Sequence, residues 1–221
     1  MSKISVIITA GGTSTRYGNK NKLLEKINGK TVIEYSVEKF LPFAEIFEIV
    51  ISANKTIKET VSALFSENKK IRIVNGGETR QASVFNALKT IKNADYVLIH
   101  DGARPLVDPK DITCLIDKMK QKNAVILAVK TVDTIKRADE NGMITETINR
   151  SNLYNVQTPQ GFKFSLIYDA HKKLEGQNYT DDAGMIETLG FPVYIEEGQY
   201  SNFKITTPDD TERMKIELNK T

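Results

Sequence analysis

The chain has 221 residues, a formal net charge of +3, 40% hydrophobic and 27% charged residues, the balance of a globular protein able to bury a substantial core. Lys and Glu are interspersed, so nothing marks a nucleic-acid footprint, and no apolar run nears the roughly 20 residues of a membrane span. A single cysteine, Cys114, excludes an internal disulfide, and two histidines without a Cys/His cluster offer no zinc framework.

The N-terminus begins at once on an apolar run, without a basic segment ahead of a signal region, so the expected compartment is the cytoplasm. That run, Ile4-Ser5-Val6-Ile7-Ile8, predicts a buried strand over 4–9. It leads into Ala10-Gly11-Gly12-Thr13-Ser14-Thr15-Arg16-Tyr17-Gly18 and then Asn21-Lys22-Leu23. Glycines at the end of a strand let the backbone turn and present N–H groups to phosphates, with no side chain in the way. Arg16 and Lys22 add positive charge beside those amides. The spacing fits neither common phosphate loop: Gly29-Lys30-Thr31 would need a glycine where Leu24 stands, and glycines 11, 12 and 18 do not form G-x-G-x-x-G. An ordinary βα turn has the same composition, so this segment alone leaves both readings open.

Helices and strands then alternate: helix 31–41, strand 46–52, helix 55–66, strand 71–74, helix 80–91, strand 95–100, helix 109–120 and strand 124–129. Ile33, Val37, Phe40 and Leu41 share one helical face, as do Val84, Leu88 and Ile91. Alternating units with near-continuous apolar strands predict an α/β fold, a mostly parallel sheet with helices on both faces, and one domain over 1–221. Ligands of such sheets gather at the carboxyl ends of the strands. The first loop, Gly76-Gly77 and His100-Asp101 all follow a predicted strand.

Cys114 has the helical neighbours Ile112, Leu115, Ile116 and Met119, which marks it as a packed helix residue rather than a nucleophile. After Lys130 the alternation stops. Two short polar-apolar runs flank Asp139-Glu140-Asn141-Gly142, and Asn-Gly is a strong hairpin signal. This arm, at about 131–149, has too little core to stand alone, so its Ile135, Met143, Ile144 and Ile148 call for a covering surface such as a second subunit. Farther on, Thr180-Asp181-Asp182-Ala183 reads equally as a helix cap with dipole-favoured acids or as a phosphate-contacting helix start. Thr207-Pro208-Asp209-Asp210 opens a last helix.

The candidate chemistry is phosphate-directed. Arg16, Lys22, Gly76-Gly77 with Arg80 and Ser83, Asp101 with Arg104, Arg150, Thr180 and Lys204 are the cations, hydroxyls and strand-end groups available. No G-x-S-x-G accompanies either histidine, which argues against a serine hydrolase. His171, in a polar helical stretch, is expected at the surface. His100, ending an apolar strand, is expected to be a hydrogen-bonded structural residue. The lack of a base is informative, because a phosphate monoester with a second pKa near 6 is already a nucleophile at neutral pH.

Seven segments occur in the order seen in the 2-C-methyl-D-erythritol 4-phosphate cytidylyltransferase family, which the chain therefore resembles over roughly residues 4 to 211. They are Ala10-Gly11-Gly12 with Arg16 and Asn21-Lys22-Leu23; Gly76-Gly77 with Arg80 and Ser83-Val84; His100 to Pro105; Asp133 to Lys136; Gln157-Thr158-Pro159-Gln160; Thr180 to Ala183; and Asn202 to Thr206. The resemblance implies a nucleotidyltransferase that joins CTP and the sugar-alcohol phosphate and releases pyrophosphate in non-mevalonate isoprenoid synthesis. By motif, it implies that Arg16 and Lys22 stabilise the reacting α-phosphorus and the departing pyrophosphate. Ala10, Gly11, Gly12, Thr13, Ser14, Gly76, Gly77, Arg80, Ser83 and Ala103 would hold CTP. Asp101 would sit near Mg²⁺ and, with Arg104, near the substrate hydroxyls; Thr134, Arg150, Thr180 and Lys204 would hold the substrate phosphate, Arg150 and Lys204 counting also as catalytic cations. The resemblance further implies a homodimer in which one arm completes the neighbouring site.

The chain departs from the family pattern at Asn21-Lys22-Leu23, where Pro-Lys-Gln is usual, in an Arg16-to-Lys22 spacing one residue shorter, and at Ser201, where an acid often precedes Asn-x-Lys. Two rivals stand beside this reading. Ribitol 5-phosphate cytidylyltransferases resemble the chain at the first loop and at Gln157-Thr158-Pro159-Gln160, but tend to carry a serine and a bulkier residue where Gly102-Ala103 stands. The other rival is a nucleotide-binding module without catalysis, which has no need of Arg16, Lys22, Asp101, Arg150 and Lys204 together.

Overall fold

The computed structural model describes residues 2–12, 17–18 and 21–220. Its centre is a seven-stranded sheet with the order β11-β7-β10-β6-β1-β4-β5. The apolar run at the start of the chain forms β1 (Ile4–Ala10), wholly buried along most of its length. It pairs in parallel with β4 (Ile46–Ala53) on one side and β6 (Tyr96–Asp101) on the other, so Ile7 stands opposite both Val50 and Ile99. β5 (Ile71–Asn75) extends the sheet in parallel beyond β4.

Alternation along β1 divides the core. Ile4, Val6 and Ile8 face a cluster with α1 (Val32–Glu38), α2 (Lys58–Leu64), α4 (Pro109–Lys122) and α7 (Pro208–Leu218). Ile7 and Val50 face the other cluster, with α3 (Arg80–Leu88), α5 (Phe164–Lys173) and α6 (Ala183–Thr188). Helices on both faces are what near-continuous apolar strands require. Truncating a fully buried centre such as Ile7 to Ala is worth about 3 kcal/mol.

α1 starts where its sequence says it should, with Thr31 and Glu34 forming a capping box. Helices α1, α2 and α3 stop two or three residues before the apolar periodicity does, yet Phe40 and Ile91 beyond their ends remain buried. Periodicity reports burial, and a buried turn satisfies it as well as a helix. α4 carries Asp108 as N-cap and Pro109 in its first turn. Cys114, on that helix, is exposed rather than packed, because it lies one position outside the Ile112, Leu115, Ile116, Met119 stripe.

Beyond β7 (Ala124–Lys130) the chain adds what the sequence alternation did not show. β10 (Tyr154–Lys163) returns antiparallel between β6 and β7, and β11 (Tyr194–Glu197) closes the edge parallel to β7. Pro159 in the middle of β10 reads as a strand breaker. The register against β7 is irregular between Val156 and Gln160, which is where a proline without an N–H can be tolerated. The arm is a separate two-stranded sheet, β8 (Ile135–Ala138) with β9 (Ile144–Ile148), turned at Gly142 with φ +85°. Met143 is 64% and Ile144 62% exposed on it. No helix among the described residues is long and apolar enough to cross a membrane.

Candidate active site

The parallel strands β1, β4, β5 and β6 end on one side of the sheet, and the segments following β1, β5 and β6, with Lys204 and Thr206, line a cavity of about 360 Å³. Gly11 and Gly12 follow buried Ala10 at the end of β1. Lys22 and Leu23 come from a single 3-10 turn, Lys22–Leu24, whose start is capped by Asn21 accepting from the Leu23 N–H at 3.0 Å. Tyr17 ties the same loop to the C-terminal helix through a 2.6 Å hydrogen bond between its hydroxyl and that of Thr211.

From β5 the chain passes through Gly76-Gly77 into α3, capped by Thr79 accepting from the Ala82 N–H at 3.0 Å. Ser83 Oγ accepts from the Gly77 N–H at 3.0 Å and donates to the Thr79 carbonyl at 2.9 Å, closing this turn. At two points here a side chain would force its neighbours to shift. A Cβ on Gly77 would lie 2.5 Å from Ala82 Cβ, and one on Gly11 would lie 2.8 Å from Ser83 Oγ. Both loops thus pack backbone against the first turn of α3, and Ser83 is the seam between them.

Asp101, at the end of β6, is the electrostatic centre. Its Oδ1 accepts from Arg80 Nε at 3.3 Å and from the Thr9 hydroxyl at 3.2 Å, and its Oδ2 accepts from Lys204 Nζ at 2.7 Å. Burial by itself would raise the Asp101 pKa, but the cations of Arg80, Lys204 and Arg104 outweigh it and hold the carboxyl far below the usual range. Lys204 is delivered by backbone docking: the Ile205 N–H donates to the Ala103 carbonyl at 2.8 Å. Buried Asn202 anchors the same segment by donating to the Gln157 side chain and the Thr158 carbonyl.

His100 behaves as expected of a structural residue. Its Nε2 donates to the Arg104 carbonyl at 2.9 Å, so Nδ1 accepts from the Thr158 hydroxyl at 3.1 Å. Burial, its largest influence, pushes the imidazole down to about 4. The Thr158 oxygen also accepts from the Asp101 N–H at 3.0 Å. With both ring nitrogens engaged, His100 supports the backbone of Asp101 rather than taking a substrate proton.

This frame carries the elements of a nucleotidyl-transfer site, and its order along the chain is diagnostic. A model of the IspD family, 2-C-methyl-D-erythritol 4-phosphate cytidylyltransferase, matches residues 4–220. The chain belongs to that family. A 2-C-methyl-D-erythritol 4-phosphate cytidylyltransferase of Dictyoglomus thermophilum is 42% identical over 228 residues, covering 100% of this chain and 98% of the relative. One from Clostridium acetobutylicum is 43% identical, with 93% of each covered. Among solved structures, the 4-diphosphocytidyl-2C-methyl-D-erythritol synthase of Anaerococcus prevotii superposes with a TM-score of 0.88 at 32% identity and 99% coverage of both chains. The Francisella tularensis 2-C-methyl-D-erythritol 4-phosphate cytidylyltransferase gives 0.85 at 33% identity, covering 98% of this chain and 100% of that one.

Of the cytidylyltransferase residues read from sequence, Gly11, Gly12, Lys22, Arg80, Ser83, Asp101, Ala103 and Lys204 line this same cavity. Ala10, Gly76 and Gly77 are not among the lining residues, though the Gly77 N–H donates to the lining Ser83. Thr13, Ser14 and Arg16 lie outside the described residues. Arg104 stands behind Asp101, its guanidinium donating to the carbonyls of Asn202 at 2.7 Å and Val156 at 3.3 Å, and burial lowers its pKa. Thr134 and Arg150 are exposed at the base of the arm, where Arg150 donates to the Val132 carbonyl. Thr180 is exposed too, outside the cavity lining.

The acids after Thr180 take separate roles. Asp181, one residue before the N-cap of α6, accepts from the Gly184 N–H at 3.0 Å, while the N-cap Asp182 is buried and accepts from Arg80 Nη1 at 2.7 Å. The expectation that His171 is a surface residue is overturned: it is 1% exposed, with Nε2 3.1 Å from Asp182 Oδ1. A signal was present, since Ile167, Ala170, His171 and Leu174 recur at the spacing of one helix face. Thr9, Thr158 and Asp182 were missed as site residues. Thr9 had a trace in sequence as a hydroxyl near the end of an otherwise apolar strand, and it sits directly opposite Asp101 in the sheet.

Proposed function

We propose that this chain joins CTP to 2-C-methyl-D-erythritol 4-phosphate, giving 4-diphosphocytidyl-2-C-methyl-D-erythritol and pyrophosphate. The observation that carries the reading is the convergence of Arg80 and Lys204 on Asp101 in a cavity that Lys22, Gly11 and Gly12 also line, on a chain of this family. A phosphate oxygen of the sugar-alcohol phosphate attacks the α-phosphorus of CTP; that P–O bond forms as the bond to the β-phosphate oxygen breaks. The nucleophile carries its own charge, which agrees with a site whose only histidine is hydrogen-bonded at both nitrogens. The protein's task is then alignment and neutralisation. Lys22, with Arg16, is assigned to the triphosphate, the segment 76–83 and Ala103 to the nucleoside, and Asp101 and Lys204 to the acceptor side.

The donor set fits a divalent cation that takes most of its ligands from phosphate. Asp101 offers one carboxylate, and no group of three or more His, Cys, Asp or Glu suited to a metal occurs among the described residues. Mg²⁺ characteristically keeps one or two carboxylates and completes its shell with phosphate and water oxygens. Asp101 would hold it, and it would supply charge neutralisation to the triphosphate.

Gly102 bears on the acceptor. A Cβ there would lie 3.0 Å from the Thr9 carbonyl and 3.2 Å from Ile8 Cγ2, so a side chain at this position requires its neighbours to give by a few tenths of an ångström. Pyrophosphate release from CTP with methylerythritol phosphate against ribitol 5-phosphate tests the reading. Release with ribitol phosphate alone, or with neither, would overturn it. The proposal includes a homodimer through the arm, supported by its exposed Val132, Met143 and Ile144.

A further inference from the structure

The ionic contacts of the cavity continue past it into the protein. Asp101 binds Arg80, Arg80 binds Asp182, and Asp182 Oδ1 meets His171 Nε2 at 3.1 Å, in the last turn of α5. His171 touches no cavity-lining residue of the nucleotide site through its polar atoms. We propose that His171 is a positioning residue for nucleotide binding: by donating to Asp182 it fixes the carboxylate that orients Arg80, and through Arg80 the Asp101 carboxylate.

Three observations carry this. Asp182 is buried, and although burial raises its pKa, Arg80 and His171 outweigh that and keep it low, so it is a carboxylate. An ionised carboxylate accepts, hence His171 Nε2 carries the hydrogen. A buried carboxylate held by Arg80 alone would be free to rotate; the second bond fixes its plane, leaving Oδ2 facing Arg80 Nη1 at 2.7 Å. Second, Arg80 is a long side chain at the first position of α3, and its fork is held between two carboxylates, Nη1 on Asp182 and Nε on Asp101. Removing the orientation of one loosens its grip on the other.

Third, His171 is an expensive choice for a mere packing residue. Its ring stacks on Phe85 with centroids 5.7 Å apart at 21°, an environment suited to an apolar side chain. Its Nδ1 is buried with no hydrogen-bond partner among the described residues. Native structures leave few such atoms, because each costs desolvation that nothing returns. The Nε2 contact with Asp182 is what an imidazole gains here over a phenyl ring.

The proposal rests on the cytidylyltransferase reading, so the test has a readout that does not depend on turnover. His171→Phe, His171→Asn and His171→Gln are compared by CTP titration calorimetry, by steady-state kinetics and by thermal melting. The glutamine amide nitrogen can reach the position of Nε2, whereas that of asparagine stops near Nδ1. His171→Phe and His171→Asn should weaken CTP binding and raise its KM about tenfold, the scale of one charge-assisted hydrogen bond acting indirectly. His171→Gln should stay within about threefold of wild type, and His171→Phe, which leaves the buried Asp182 Oδ1 without its donor, should melt below wild type while His171→Gln stays near it. The Asn/Gln contrast carries the test if the Phe variant does not fold. Combined with Arg80→Lys, His171→Phe should add little, because the fork it positions is already gone. Wild-type CTP affinity in both His171→Phe and His171→Asn, equal losses in the Asn and Gln variants, or effects that multiply in the double variant would overturn the proposal. A wild-type protein that binds CTP but releases no pyrophosphate would instead overturn the assigned reaction and leave the His171 comparison decisive through binding.

Discussion

Lys204 Nζ stands 2.7 Å from Asp101 Oδ2 although 103 residues separate the two in sequence. The ion pair joins the last segment before α7 to the end of β6, and Arg80 holds the other Asp101 oxygen. Asp101→Asn removes the one negative charge between two cations. Breaking a fully buried pair costs about 3–5 kcal/mol, but Lys204 and Arg80 retain side-chain exposures of 42% and 25%, so about 2 kcal/mol is expected. Urea unfolding measures the loss. A variant as stable as wild type and equally active would contradict both its structural and its functional assignment.

Acid sensitivity separates His100 from the carboxylates. Its folded pKa of about 4 lies below the ordinary 6.5, so the unfolded chain takes up the proton first and stability falls as pH drops from 6.5 to about 4. That interval amounts to about 3 kcal/mol, present in full above pH 6.5 and exhausted near pH 4. Asp101 and Asp182 are lowered carboxylates; their contribution is complete above the ordinary carboxylate range and is lost below it. His100→Gln, which keeps a donor toward the Arg104 carbonyl, should flatten the slope of stability between pH 6.5 and 4. An unchanged slope would remove His100 as its source.

The first loop should control chemistry more than affinity. Lys22 lines the cavity and is assigned, with Arg16, to charge that develops on the departing pyrophosphate. Lys22→Ala and Arg16→Ala should each lower kcat by about 10²-fold, the scale of one preorganised transition-state contact, with smaller changes in CTP binding. Single-turnover measurements at saturating CTP decide it: near-wild-type rates in either variant rule out that residue's role.

How much of this site could be read beforehand depends on whether its parts are local. Gly11-Gly12, Gly76-Gly77 and Asp101 each follow a buried strand directly, and a glycine or acid in that place is visible in a short window. The alternation up to β7 was legible for the same reason. β10 was not, because Pro159 and the polar residues around it interrupt the apolar pattern, and the strand is completed by partners on both sides. The Asp101–Lys204 and Arg80–Asp182 pairs join distant segments, so no periodicity encodes them. His171 was misread for a different reason: the lysines that follow it made its helix stretch look solvated, while its own spacing placed it on the buried face.

Metal dependence follows from the single carboxylate of Asp101 and the charge of a triphosphate. Turnover should stop in excess EDTA and return when Mg²⁺ is restored, while the melting temperature of the protein without nucleotide stays constant. Undiminished turnover in EDTA would show that Lys22, Arg80 and Lys204 neutralise the phosphates unaided.

The arm offers the sharpest test of assembly. The arm and its base bury little of their own surface: Val132 is 59%, Met143 64% and Ile144 62% exposed, and the cross-strand Arg137–Glu146 pair is solvated on both sides. Isolated hairpins of this size are marginal, yet this one carries apolar side chains that a second copy would cover. Thr134 and Arg150, assigned by family motif to the substrate phosphate, are exposed at its base and outside the lining of their own chain's cavity. A partner's arm laid across the cavity mouth would bring them to it. Wild type should therefore scatter light as a dimer at micromolar concentration. Deleting Lys136–Glu146 should leave a folded monomer that binds CTP through the glycine loops but turns over poorly. A wild-type monomer would sink the shared site outright, and so would a monomeric deletion with full activity, since Thr134 and Arg150 would then act within one chain.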